Sequence, residues 1–269
     1  MGKNGCVAGI TLVCLIVIHG CGGGVRSGLT LAGSTSVQPF AEKWAEAYRI
    51  RRPDLEIHVQ GGGSTAGVQA ADSGAAQIGM CSRELKPDEA AKLKTLVVAR
   101  DGISLIVHPQ NPVGDLTIEQ IQKIYEGTVT TWKDVGGIGA KITTITREAG
   151  SGTRGAFEEL VMMHGKKKIA PSALVQDSTG AVRQMVSQDP TAIGYISLGL
   201  VDRSVKPLKL AGVEGSEASI DAGKYPLVRP FLFLVKGEPS PMAREFIDFV
   251  TGPEGQALTR KEGLFPGRK

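Results

Sequence analysis

Three times in this chain a strand-like run ends in glycine and hydroxyl residues and passes straight into a helical pattern. Leu29-Thr30-Leu31-Ala32 leads into Gly33-Ser34-Thr35-Ser36. Residues 55–59 lead into Gly61-Gly62-Gly63-Ser64-Thr65. Ile142-Thr143-Thr144-Ile145-Thr146 leads into Arg147-Glu148-Ala149-Gly150-Ser151-Gly152-Thr153-Arg154. Runs rich in β-branched residues mark the strands, and apolar residues three and four apart mark the helices. Val37, Phe40, Ala41, Trp44 and Tyr48 share one helical face after the first junction, and Phe157, Leu160, Val161 and His164 after the third. Alternation of this kind predicts an α/β fold in which sheets are flanked by helices. In open α/β sheets, ligands sit beyond the carboxyl ends of the strands. The three junctions are therefore placed to converge on one cleft.

The third junction carries the most chemistry. Ser151 and Thr153 fall where a helix begins, where backbone N–H groups lack intrahelical partners and the helix dipole is positive. Gly150, Gly152 and Gly155 let backbone approach a ligand. Arg147 adds a permanent charge with a planar fork suited to oxyanions. Any one junction reads equally well as an ordinary cap and turn. Three of them, with Arg147 in the third, point to a small oxyanion held by hydroxyls and amides.

The first residues read as an export signal. Lys3 precedes an apolar run at 7–18, which is short for a membrane span. Ile18-His19-Gly20-Cys21 resembles a bacterial lipobox, with Cys21 as the lipidated residue and His19 unusual in that motif. The expected division is a signal over 1–20, a glycine-rich tether over 21–28, and one domain-sized chain beyond it. Cys6 and Cys14 would leave with the signal, so Cys81 remains alone and is expected to be buried rather than bridged. The histidines are scattered singly, and no metal site or cofactor is expected. A net charge of +4 without a dense Lys/Arg stripe argues against nucleic acid as a partner; Lys166-Lys167-Lys168 reads as a solvated helix end.

A proline-bounded break, His108-Pro109-Gln110-Asn111-Pro112, reads as a crossover into a second lobe. Within it Thr117 caps a helix, Trp132 is expected to pack in the core, and Ser178-Thr179-Gly180 caps another helix. The extended run 225–235 reads as the chain crossing back. The expected lobes are 29–107 plus 231–269, and 112–228.

Taken in order, Gly33-Ser34-Thr35-Ser36-Val37-Gln38-Pro39, Gly61-Gly62-Gly63-Ser64, Ile78-Gly79-Met80-Cys81-Ser82-Arg83, Trp132-Lys133-Asp134-Val135-Gly136-Gly137, the Arg147 loop, Ala192-Ile193-Gly194-Tyr195-Ile196 and Tyr225-Pro226-Leu227-Val228-Arg229-Pro230 form a specific set. The chain resembles the short form of the phosphate-binding periplasmic subunit of phosphate-specific ABC transporters. The resemblance implies a two-lobed type II periplasmic-binding-protein fold with inorganic phosphate in the cleft. It also implies delivery to ABC permease subunits and no catalysis. Carried over by position, the ligand contacts are Thr35 and Ser36 with Ser34 adjacent, Ser64, and Arg147, Ser151, Gly152 and Thr153.

One position departs from the resemblance. A binding aspartate expected after the third strand is replaced by Ser82, followed by Arg83. Asp101, at a strand end beside Gly102, is the expected substitute acceptor for the proton of hydrogen phosphate, with Glu148 as the fallback. Arg83 is assigned to the cleft, against a surface pairing with Glu84 or Asp88. Another oxyanion (sulfate, molybdate or tungstate) is the first rival reading. A phosphoester-acting enzyme is the second, and a receptor-like or adhesive role the third. The protein is expected to be an exported monomer, lipid-anchored to a bacterial membrane.

Overall fold

A computed structural model of the chain describes residues 1–2, 28–162 and 166–267. Cys6, Cys14, the lipobox with Cys21, and His164 lie outside the described residues.

The first part of the chain forms strand β1 (Gly28–Gly33), helix α1 (Gln38–Arg51), strand β2 (Glu56–Gly61), helix α2 (Ser64–Ser73), strand β3 (Ile78–Cys81) and the one-turn helix α3 (Pro87–Ala90). A long strand, β4 (Lys94–Val107), leads out of it. Then follow β5 (Asp115–Leu116), α4 (Ile118–Glu126), β6 (Thr143–Arg147), α5 (Gly152–Leu160), β7 (Leu174–Gln176), α6 (Thr179–Gln188), β8 (Ala192–Ser197), β9 (Lys206–Pro207), β10 (Lys209–Leu210) and α7 (Glu217–Asp221). Strand β11 (Val228–Val235) returns, and α8 (Pro241–Thr251), α9 (Pro253–Lys261) and β12 (Phe265–Pro266) finish the chain.

One continuous sheet runs in the order β2-β1-β3-β11-β4-β8-β6-β7. The β2 and β3 strands flank β1 in parallel, and β7 and β8 flank β6 in parallel, whereas β11 and β4 run antiparallel to what they pair with. The sequence alone suggests two strands, over 96–99 and 103–107, broken at Arg100-Asp101-Gly102; the structure has the single strand β4. Its first part pairs with β11 up to Gly102↔Val228, and its second part pairs with β8 from Ile103↔Ser197. Pairing with β11 on one half and β8 on the other carries the strand through Arg100-Asp101-Gly102 without a break. Asp101 and Gly102 mark the place where β4 changes partners.

The apolar core divides at the same place. One cluster packs α1 and α8 against β1, β3 and β11, with Trp44 edge-on to Phe233 at 5.8 Å and Phe40 5.9 Å from Phe231. All five residues predicted for the inner face of α1 are buried. A second cluster holds Ile103, Tyr125, Trp132, Phe157 and Tyr195. Trp132 is fully buried, as expected for a core anchor, and its indole N–H donates to the Thr191 carbonyl at 2.9 Å. Phe157 stacks on Tyr195 at 4.1 Å, and the Tyr195 hydroxyl lies 2.7 Å from Thr146 Oγ1. Burial pushes the Tyr195 phenol up to about 12, so it stays a neutral hydrogen-bonding group under β6. Cys81 is buried and is the free cysteine among the described residues. No helix among the described residues is long and apolar enough to cross a membrane.

Candidate functional site: a hydroxyl cluster with a buried arginine

The carboxyl ends of β1, β3 and β6 and the starts of α2, α5 and α6 meet in one place. Each helix start has a local cause. Ser151 caps α5 by accepting from the Arg154 amide at 3.2 Å, and Ser178 caps α6 by accepting from the Ala181 amide at 3.2 Å. The amides of Gly152 and Thr153, in the first turn of α5, have no carbonyl one turn back to receive them. Pro39 is tolerated in the first turn of α1, where its missing N–H costs nothing.

Gly33 has φ of +137°, a region open to glycine, and a Cβ there would collide with the Met80 carbonyl. This close approach sends the next residues under the end of β3. Ser34 Oγ accepts from the amides of Ser36 and Val37 at 3.2 and 3.3 Å and donates to Ser82 Oγ at 2.8 Å. Ser64 Oγ accepts from the Ser82 amide at 3.0 Å and lies 3.4 Å from Ser82 Oγ. Gly152 packs directly against the Ser64 and Ser82 hydroxyls, where any side chain would overlap them.

Ser36 joins the two halves. Its Oγ lies 2.7 Å from Thr153 Oγ1 and 2.9 Å from Thr179 Oγ1. Arg147 is 1% exposed. Glu148 receives its Nε and Nη2 at 2.8 and 2.9 Å, and the carbonyls of Gln176 and Asp177 take further N–H bonds. Nη2 also donates to Thr35 Oγ1 at 3.1 Å, and Nη1 to Thr179 Oγ1 at 3.1 Å. Nη1 carries two protons and has this one bond among the described residues, so a further N–H stays available beside the hydroxyls. The Thr65 amide donates to the Gly150 carbonyl at 3.1 Å, a backbone tie between the α2 and α5 loops.

Ser34, Thr35, Ser36, Ser64, Ser82, Arg147, Gly152 and Thr153 are thus brought together, while Ser151 is buried beside them as the cap of α5, its Oγ taken up by the Arg154 amide. Two predicted contacts are placed differently. Asp101 is fully buried, and both its oxygens are committed: Oδ1 accepts from Ser197 Oγ at 2.7 Å, and Oδ2 accepts from Arg229 Nε and Nη2 at 2.9 and 2.8 Å. Arg229 Nη1 reaches the Ser82 carbonyl at 3.2 Å. Asp101 therefore stands one link behind the cluster. Burial pushes its carboxyl up from the ordinary value, and the adjoining guanidinium opposes that shift. Arg83 points away as well: Nη1 and Nη2 meet the Glu89 carboxylate at 2.7 and 2.9 Å, and Nη1 also meets the Glu84 carbonyl at 2.9 Å. Its stem packs against Gly155. Glu148, the fallback acceptor, is the counter-ion of Arg147.

Thr179, Arg229 and Ser197 escaped the sequence reading as site residues. Thr179 follows a fourth strand-to-helix junction, β7 to α6, and that pattern was the available signal. The pairing of Arg229 with Asp101 depends on the register of β4 against β11, which the sequence does not display.

Chemically, the cluster offers hydroxyl and amide donors around one cation. Among the described residues no three metal-ligating side chains come together. A model of the PBP superfamily domain matches residues 22–254. A phosphate-binding protein PstS from Bacillus subtilis is 31% identical over 243 residues, covering 88% of this chain and 80% of its own. The chain belongs to the PstS family of the PBP superfamily. A crystal structure of a putative phosphate ABC transporter substrate-binding protein with bound phosphate, from Clostridium perfringens, superposes with a TM-score of 0.86 at 41% identity. It covers 90% of this chain and 100% of that one. An ABC-type phosphate transport receptor from Vibrio cholerae gives 0.74 at 38% identity, over 89% and 100%. The fold of this family is two-lobed. The bonds of Ser36 and Arg147 join the loop after β1 to α5 and α6.

Proposed function

We propose that this chain binds inorganic phosphate in the cleft between its lobes and delivers it to the permease subunits of an ABC transporter. The observation that carries this reading is the convergence of a buried, pre-oriented guanidinium with hydroxyls and helix-start amides from both lobes. Arg147 supplies the charge that replaces the anion's counter-ions. Thr35, Ser36, Ser64, Ser151 and Thr153 supply hydroxyls, and Gly152 keeps backbone within reach. The family membership and the phosphate-bound relative support phosphate over sulfate, molybdate or tungstate.

No bond is made or broken in this role, and the protein is not an enzyme. Its lobes are 29–107 with 231–269, and 112–228, joined where β4 and β11 cross. Asp101 acts one link back: it neutralises Arg229, which fixes the Ser82 carbonyl and so the end of β3. Residues 1–20 direct export, Cys21 carries the lipid, and 21–28 tether a monomeric binding domain to a bacterial membrane near its permease, raising the local concentration there.

Native mass spectrometry of the protein as purified tests the ligand: one bound phosphate per chain is expected, displaced by added phosphate and not by equal sulfate or molybdate. Preferential retention of another oxyanion would overturn the assignment. Turnover of a chromogenic phosphomonoester would overturn the non-enzyme reading. Membrane partitioning that survives Cys21→Ser would overturn the anchor.

A further inference from the structure

Thr179 is the first residue of α6, and its hydroxyl is turned into the cleft rather than to solvent: the residue is 3% exposed. It lies 3.1 Å from Arg147 Nη1 and 2.9 Å from Ser36 Oγ, and Ser36 Oγ lies 2.7 Å from Thr153 Oγ1. Arginine has no acceptor, so Arg147 donates and Thr179 accepts, which fixes one end of the series. Either oxygen of each hydroxyl pair could donate; the direction that runs on from the cation has Thr179 donating to Ser36 Oγ. A proton received there turns the Ser36 proton toward Thr153. Hydrogen bonds in series polarise one another, and this series begins at a permanent cation. Thr153, at its far end, keeps its proton for an oxygen outside the chain of bonds, beside the first-turn amides of α5.

We propose that Thr179 is a recognition residue of this cleft. It positions Arg147 from one side and, across the lobe boundary and through Ser36, fixes the Thr153 hydroxyl as a donor to the bound anion. The inference rests on the phosphate reading above and adds a residue and a direction of donation to it. Because Ser36 and Thr179 belong to different lobes, the contact exists in the closed arrangement and contributes there.

The test uses the full chain with inorganic phosphate, comparing wild type, Thr179→Val and Thr179→Ser by calorimetry, stopped-flow dissociation and melting with and without phosphate. Valine keeps the volume and removes the hydroxyl; serine keeps the hydroxyl. Thr179→Val should bind phosphate about tenfold more weakly, the equivalent of one lost net hydrogen bond to a charged partner. The loss should appear as faster dissociation, with the ligand-free melting temperature unchanged and the phosphate-induced rise in melting temperature reduced. Thr179→Ser should stay within about twofold of wild type. Wild-type affinity in Thr179→Val would overturn the inference while leaving the phosphate reading standing. So would equal weakening in Thr179→Ser, or weakening accompanied by a lower ligand-free melting temperature. Absence of phosphate binding by wild type would overturn both.

Discussion

Arg147 shows how a buried cation becomes usable. A guanidinium out of water is costly unless its protons are met, and Glu148 with two backbone carbonyls meets the protons on one side of the fork. The Nη1 side faces hydroxyls, which can turn to a ligand at little cost. Lysine carries the same charge but lacks the fork. Arg147→Lys should therefore fold normally and bind phosphate roughly 10- to 100-fold more weakly, the scale of one or two charged hydrogen bonds; calorimetry measures this. Asp101 has a different weight. Removing it leaves Arg229 buried without its partner, which costs about 3–5 kcal/mol. Asp101→Ala should thus lower the melting temperature by roughly 10 °C, an effect on stability read by calorimetric or urea unfolding before any effect on ligand. The residue types were legible in the sequence: arginine, hydroxyls and glycines at strand ends announced an anion site. The partner of Asp101 was not, because a strand-end acid looks the same whether it faces a ligand or an arginine on a neighbouring strand.

Helix α3 and the rim around it depend on one ion pair. Arg83 and Glu89 are each about one-tenth exposed at the side chain, and Glu89 also accepts from the Lys86 amide at 2.9 Å, holding the first turn of α3. The Arg83 hydrogen bonds hold the Glu89 carboxyl below its ordinary value of 4.5. A depressed carboxyl contributes stability above its unfolded value and loses it as pH falls through the folded value. Between neutral pH and the range below 4.5, the wild-type melting temperature should therefore fall more steeply than that of Glu89→Gln. Parallel pH profiles would show that the pair contributes nothing. Helices such as α1 and α5 were readable because apolar residues recur in them at helical spacing. Strand β4 was not readable as one piece, since Arg100-Asp101-Gly102 carries turn-like residues. Pairing to β11 on one half and β8 on the other overrides that local signal.

In the proposed lobe division, the contacts that cross from lobe to lobe are Ser36 with Thr153 and Thr179, Arg147 with Thr35, and the Thr65 amide with the Gly150 carbonyl. Gly152 makes that closure possible, since a methyl group there would overlap the Ser64 and Ser82 hydroxyls. Gly152→Ala should hold the lobes apart, abolish the contraction that phosphate produces in small-angle scattering, and leave each lobe's core intact. An anion shifts the open–closed population only by its differential affinity for the two arrangements. The most direct measurement is a calorimetric titration of inorganic phosphate into the chain after bound anions have been stripped, with Gly152→Ala alongside. Saturable binding at one phosphate per chain in wild type, lost or severely weakened in Gly152→Ala, is the predicted result; no phosphate binding by wild type, or equal binding by both, would contradict it.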